Sequence, residues 1–148
     1  MIDILSSKFI KRNSMKIFTK SICALIATTT LMFGHGDAAP QKVDTKGLPE
    51  IGIEVVTNPF SGNEKAIEIG KTAFNQNCAR CHGLGAKSGG IAPDLRLLTD
   101  GDDTYFLGMV RSGAVRNGSV FMPPFPEDII PNSALWAIYS WLETLPED

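Results

Sequence analysis

Apolar side chains recur at helical spacing in two stretches of the chain. Ile67, Gly70 and Phe74 share one face of a predicted helix that ends near Asn77. A second apolar stripe predicts a helix over 133–144, and its members are Leu135, Ile138, Trp141 and Leu142. Because Gly70 costs its helix ~1 kcal/mol relative to alanine, we expect a backbone or ring from the second helix to approach it closely. The two helices predict an all-α domain.

Candidate caps mark the beginnings of these helices. Ser61 and Glu64 have the spacing of a capping box, and Asn63 is an alternative N-cap. Asn132 is the candidate cap of the second helix. We therefore place the start of the domain at residue 61 and its end at residue 148.

The segment before the domain has a different pattern. Residues 37–60 contain several glycines and prolines around one short apolar stretch, Ile51–Val56, and show no helical period. We expect an extended arm that lies over the surface of the domain and buries some of its apolar side chains there.

Residues 1–36 have the composition of a secretory signal peptide. Five basic side chains with no acid among them precede an apolar run of 13 residues, Ser21–Phe33. A membrane span needs ~20 apolar residues, so we predict cleavage near residues 34–38 rather than a membrane anchor. Cys23 leaves with this leader, His35 lies at its end, and the mature protein is expected to be soluble and periplasmic.

Removal of the leader makes the protein acidic. From Asp37 onward there are 9 basic and 15 acidic side chains, a net charge of −6. Nucleic acids and anionic membranes select basic surfaces, so neither is an expected partner. A length of 148 residues suits one domain, and we expect a monomer.

The candidate chemistry lies in Cys78-Ala-Arg-Cys81-His82. Two thiols at this spacing, followed directly by an imidazole, form the pattern for attaching one c-type haem, with the histidine as iron ligand. A redox thiol pair and half of a zinc site are the alternatives. The chain has no Cys or His after His82, so a tetrahedral zinc site cannot be completed downstream. We predict one haem c, covalently bound through Cys78 and Cys81.

With these residues in view, residues 61–145 resemble a class I cytochrome c. In that family the N- and C-terminal helices cross at a small residue and pack aromatic rings together. Gly70 and Phe74 match the small residue and the ring of the first helix, and Ile138 and Trp141 match their partners on the last helix. The resemblance implies the class I cytochrome c fold around one haem.

The same resemblance implies how the iron site is completed. Family members carry a proline whose carbonyl accepts a hydrogen bond from the proximal histidine, and Pro93 follows His82 at a matching distance. A simple loop proline is the alternative. Met122 lies in a loop similar to the family's Met-Pro ligand loop, whereas Met109 shares a predicted helical face with core residues. Met122 is the expected sixth ligand, with an open or otherwise occupied iron site as the alternative.

Several other side chains have two interpretations. The arginines near the haem-binding segments pair with haem propionates or lie in solvent, and they are Arg96, Arg111 and Arg116. Trp136 and Tyr139 likewise reach propionates or cover the edge of the core.

A closer resemblance concerns the partner. The chain is similar to soluble periplasmic cytochromes c that serve pyrroloquinoline quinone (PQQ) dependent alcohol dehydrogenases. The segments that carry this similarity are Val43–Leu48, Asn58–Phe60, Ala66–Gly70, Asn75–Gly83, Lys87–Leu95 and Met122–Phe125. It implies an electron carrier, not an enzyme, with such a dehydrogenase as donor and an oxidase or another cytochrome as acceptor. A haem enzyme or ligand sensor, and a haem subunit of a fixed dehydrogenase or oxidase complex, are the alternatives.

Overall fold

The structure of the protein is a computed structural model that describes residues 39–98 and 103–146. Its elements in chain order are α1 (Glu64–Asn77), α2 (Ala79–His82), α3 (Asp103–Ser112), β1 (Ala114–Arg116), β2 (Ser119–Met122) and α4 (Asn132–Leu142). Single 3₁₀ turns lie at Leu84–Ala86 and Leu95–Leu97. The helical content agrees with the all-α prediction, while the antiparallel β1–β2 ribbon was not predicted. The predicted signal peptide, with Cys23 and His35, lies outside the described residues.

The α1–α4 crossing forms the centre of the fold. A β-carbon on Gly70 would overlap the backbone carbonyl of Ala137 on α4, so the predicted close approach to this glycine is confirmed. The rings of Phe74 and Trp141 pack beside it, with centroids 4.8 Å apart and an interplanar angle of 46°. The ring of Trp141 therefore packs on Phe74, and the backbone of Ala137 fills the space that Gly70 leaves by having no side chain.

The N-cap of α1 is Asn63. Its side-chain oxygen accepts a hydrogen bond from the N–H of Ala66 at 3.0 Å. The capping box predicted from Ser61 is wrong, because the Ser61 hydroxyl instead donates to Glu143 Oε2 at 2.8 Å. Asn132 is also not a cap, since it is the first residue of α4 and Pro131 precedes the helix.

The helix α4 is buried on every side. All of its 11 residues are buried, so the prediction of a one-sided apolar stripe was too narrow. The arm contributes to this burial, because it has no helix or strand over 39–63, packs apolar side chains against the core and donates a hydrogen bond from Asn58 to Ser140 on α4. The N–H of Val43 donates to Ile129 O at 3.0 Å and fixes the arm just before α4. The arm and the helices belong to one compact unit, residues 39–148.

Asn58 ties the arm to two helices. Its N–H donates to Asp103 Oδ2 at 2.8 Å, at the start of α3. Its side-chain amide donates to Ser140 Oγ at 2.9 Å and to Glu143 Oε1 at 3.0 Å, at the end of α4. Because one residue joins the arm to α3 through its backbone and to α4 through its side chain, the position of α3 relative to α4 depends on the arm.

Candidate functional site

Two thiols and an imidazole come together where α1 ends. The N–H of Cys78 donates to Phe74 O at 2.8 Å, and α2 begins at the next residue. The N–H groups of Cys81 and His82 both donate to the carbonyl of Cys78, at 3.1 and 3.0 Å. These bonds wind the segment into one helical turn. The two cysteines therefore lie one turn apart on a rigid backbone, as attachment of one porphyrin through both sulfurs requires.

The thiols differ in their surroundings. Cys78 is partly buried and Cys81 is exposed. Burial, with a smaller contribution from the nearby negative charge of Cys81, raises the pKa of Cys78 to about 12. The protein thus shields one sulfur of the motif from water and leaves the other facing solvent.

His82 and Pro93 are in contact. His82 Nδ1 lies 3.0 Å from the carbonyl oxygen of Pro93. A carbonyl oxygen can only accept, so Nδ1 carries the proton and donates, which leaves the lone pair of Nε2 available to a metal. The contact implied by the resemblance is thus present, and it sets both the tautomer and the orientation of the ring.

Pro93 is braced on both sides. Before it, the Ser88 hydroxyl donates to Ala92 O and closes the loop. After it, Asp94 accepts hydrogen bonds from Arg96 Nε at 3.0 Å and Arg96 Nη2 at 2.9 Å. These side-chain bonds are the main cause that lowers the pKa of Asp94 to about 2. The carbonyl that orients His82 therefore lies in a fixed segment, and Arg96 is paired with a protein carboxylate.

Met122 ends strand β2 and is partly buried against the core. Its backbone is packed tightly against Gly113, where a β-carbon would overlap the carbonyl of Met122. Gly113 also has a φ of +67°, which favours glycine. Three residues on, the N–H of Phe125 donates to Val110 O at 2.9 Å. The segment Met122–Phe125 is therefore held at both ends against the end of α3.

Arg111 makes a further contact to this segment. Its Nη1 donates to Phe125 O at 2.8 Å and its Nη2 donates to Asn132 Oδ1 at 2.6 Å. Burial lowers the pKa of Arg111, and the charge of Glu127 opposes that shift. The sequence did not predict this role of Arg111, because its two partners are 14 and 21 residues away and nothing local distinguishes Arg111 from the other arginines.

The other candidates lie apart from these contacts. The guanidinium of Arg116 stacks over the ring of Phe121, with its central carbon 4.9 Å from the ring centroid. Trp136 and Tyr139 are buried, which favours core positions, and Trp136 Nε1 has no hydrogen-bond partner within the described residues. Met109 is partly buried on α3.

The donors of this site fit a covalently bound haem. They comprise two thiols one turn apart and an imidazole with a defined tautomer. Within the described residues, Cys78, Cys81 and His82 are the only cysteines and histidine. Structural zinc takes four nitrogen or sulfur ligands, usually thiolates and imidazoles, so this set suits zinc poorly.

Residues 65–142, more than half of the chain, match the protein family described as "Cytochrome C oxidase, cbb3-type, subunit III". The matched range contains the Cys78–His82 motif, Pro93 and Met122. No solved structure matches the chain.

Curated relatives extend this similarity. The chain is 49% identical to cytochrome c550 of Pseudomonas aeruginosa over 134 residues, which cover 86% of this chain and 92% of the relative. It is also similar to two quinohemoprotein alcohol dehydrogenases of Pseudomonas putida. ADH IIB is 34% identical over 53% of this chain, and ADH-IIG is 39% identical over 49%. These matches cover only 11% and 10% of the two dehydrogenases, so each similarity concerns one small segment of a larger protein.

Proposed function

The chain belongs to the cytochrome c family, and from this premise we propose that it carries electrons from a PQQ-dependent alcohol dehydrogenase towards a terminal oxidase or another cytochrome. Family membership makes it a monohaem electron-transfer protein with covalently bound haem c, not an enzyme. The haem supplies a one-electron redox centre when bound. The protein's part is to attach this group, ligate it and limit its exposure to water.

In this proposal the haem would be attached through Cys78 and Cys81, His82 and Met122 would ligate its iron, and Pro93 would orient His82. The observation that carries this proposal is the 3.0 Å contact between His82 Nδ1 and Pro93 O. A hydrogen bond at this nitrogen fixes the ring and raises the basicity of Nε2. A thioether ligand in addition to the imidazole would favour the reduced iron and raise the reduction potential, which suits a carrier that accepts electrons readily.

The proposed donor class rests on the similarity to segments of two quinohemoprotein alcohol dehydrogenases. Rapid mixing tests it. The oxidised protein is mixed with a quinoprotein alcohol dehydrogenase and its alcohol, and haem reduction is followed by absorbance. We expect faster reduction than for an unrelated cytochrome c of similar potential under the same conditions. Equal or slower reduction would remove the proposed donor and leave the electron carrier in place.

We propose the periplasm as the location, on the basis of the signal peptide expected over 1–36. Over residues 39–98 and 103–146, no helix combines the length and hydropathy needed to cross a bilayer. N-terminal sequencing of the haem-containing protein from a periplasmic extract tests the location. A first residue near 34–38 supports it, and recovery in the cytoplasm with residue 1 intact would contradict it.

A haem subunit of a fixed complex is the second candidate, because the matching family is described as an oxidase subunit. Native size separates the two. A free carrier elutes at the mass of one chain with its haem, whereas elution in a stoichiometric complex would favour the subunit.

Carbon monoxide tests the other alternative, a haem enzyme or ligand sensor. Ready binding of carbon monoxide to the reduced protein at neutral pH would indicate an exchangeable iron site and contradict ligation by Met122.

A further inference from the structure

We propose that Arg111 is a positioning residue that keeps the Met122 thioether on the haem iron, an inference that rests on the proposed ligation by Met122. Arg111 lies on the last turn of α3, and Met122–Phe125 runs back past that turn after the β1–β2 ribbon. The guanidinium donates to the carbonyl of Phe125, three residues beyond the proposed ligand.

The guanidinium joins two segments that the chain keeps apart. One nitrogen bonds Phe125 O at 2.8 Å and the other bonds Asn132 Oδ1 at 2.6 Å, on the first residue of α4. Asn132 is itself held, because its amide donates to Glu127 Oε1 at 3.1 Å. A planar guanidinium can make both bonds at once, whereas a lysine offers a single point charge. The ligand segment is thus pinned to the buried helix α4.

Within the described residues, the backbone contacts of Met122–Phe125 do not make a second connection of this kind between the segment and α4. The N–H of Phe125 bonds Val110 O, and the backbone of Met122 packs on Gly113, so both contacts fix the segment to the end of α3. Arg111 supplies the bond from Phe125 across to α4. Without it, the described residues join the segment to α4 only through the buried ring of Phe125 and the turn at Pro126, and the thioether is expected to leave the iron more often.

Competition by imidazole in the oxidised protein measures how firmly the thioether is held. Imidazole binds the iron only when the native sixth ligand leaves, so its apparent affinity reports the fraction of open sites. A hydrogen bond to a charged group is worth about a factor of ten or more in an equilibrium constant. We expect Arg111→Gln to bind imidazole about tenfold more tightly than the wild type, and Arg111→Lys to lie between them.

Arg116→Gln is the matched control, because it removes the same charge from the neighbouring ribbon, where the contact of Arg116 with Phe121 lies between β1 and β2 and does not reach α4. We expect its imidazole affinity to equal that of the wild type. Equal affinities for Arg111→Gln and Arg116→Gln would overturn the inference. If Arg111→Gln fails to fold, Arg111→Lys decides, and a wild-type affinity in that variant would overturn it.

The near-infrared charge-transfer band of methionine-ligated ferric haem separates the two proposals. A wild-type protein without this band would refute ligation by Met122, and the role of Arg111 with it. A wild-type protein with the band, combined with unchanged imidazole affinity in the Arg111 variants, would refute the role of Arg111 alone.

Discussion

The α1–α4 crossing and the segment from residue 79 to residue 125 are stabilised in different ways. At the crossing, helix backbones touch at Gly70, rings stack, and every residue of α4 is buried. In the second segment the elements other than α3 are short, and several large apolar side chains are exposed, with Leu84 81% and Val120 67% accessible. Individual hydrogen bonds position this segment, such as those from His82 to Pro93 and from Arg111 to Phe125.

The α1–α4 crossing supports the fold, and we call it the frame, whereas the second segment carries residues of the candidate site. Burial of apolar area contributes ~25 cal/mol per Å² to the free energy of folding and has no directional requirement. The α1–α4 crossing is therefore expected to tolerate small shifts in the position of other segments. Hydrogen bonds between loops fix direction but contribute only ~1 kcal/mol each. The ligand-bearing segment is therefore expected to depend on its haem and on a few anchors, whereas the crossing depends on its own packing.

The largest expected effect comes from removing the haem attachment. The mature chain that we propose, of about 110 residues, would bury limited apolar area, and a covalent porphyrin adds to its core. We expect the double variant Cys78→Ala, Cys81→Ala to lose covalent haem and to show a broad, weakly cooperative melt by circular dichroism. Arg80→Ala, in the same turn and exposed, should melt like the wild type. A cooperative wild-type melt of the double variant would show that the crossing folds without haem.

A smaller effect tests the crossing itself. Alanine in place of Gly70 puts a methyl group into the carbonyl of Ala137, and overpacking of this kind costs ~1–3 kcal/mol of unfolding free energy. The matched control is Gly108→Ala on α3, where no atom lies within 4 Å and the gain in helix propensity should stabilise by up to ~1 kcal/mol. Urea denaturation measures both. Equal shifts of the two midpoints would contradict the tight crossing.

The N-cap of α1 gives an effect of about 1 kcal/mol. Asn63→Ala removes the side-chain acceptor of the Ala66 N–H and is expected to lower the free energy of unfolding by ~1 kcal/mol. Ser61→Ala removes only an exposed bond to Glu143 and should cost less. If urea denaturation showed a greater loss of unfolding free energy for Ser61→Ala than for Asn63→Ala, the result would favour Ser61 as the N-cap.

The smallest effect concerns pH. The pKa of Asp94 is lowered from 3.8 to about 2 by its bonds to Arg96, so the charged pair stabilises the fold above pH 3.8. This contribution is lost as the pH falls through about 2. We expect Arg96→Gln to return the Asp94 pKa towards 3.8, while Arg116→Gln leaves it unchanged. NMR measurement of the carboxyl chemical shift of Asp94 as a function of pH gives this pKa. A wild-type pKa near 3.8 would contradict the prediction.

Much of the frame could be predicted from local pattern. The class I cytochrome c fold is confirmed by the helical architecture together with the family match. The ends of the two predicted helices lie within a few residues of the observed ends of α1 and α4, and the predicted close contact at Gly70 is present. These features follow from neighbours three and four positions apart, which the sequence displays directly.

The sequence by itself determined the spacing of Cys78, Cys81 and His82, the positions of Pro93 and Met122 and the faces of the main helices. Only the tertiary structure decided that α4 is buried on every side and that Arg111 joins Phe125 to Asn132. The reason is range. A helical period records which face is apolar, but what covers a residue, or pairs with its charge, depends on segments far away in the chain.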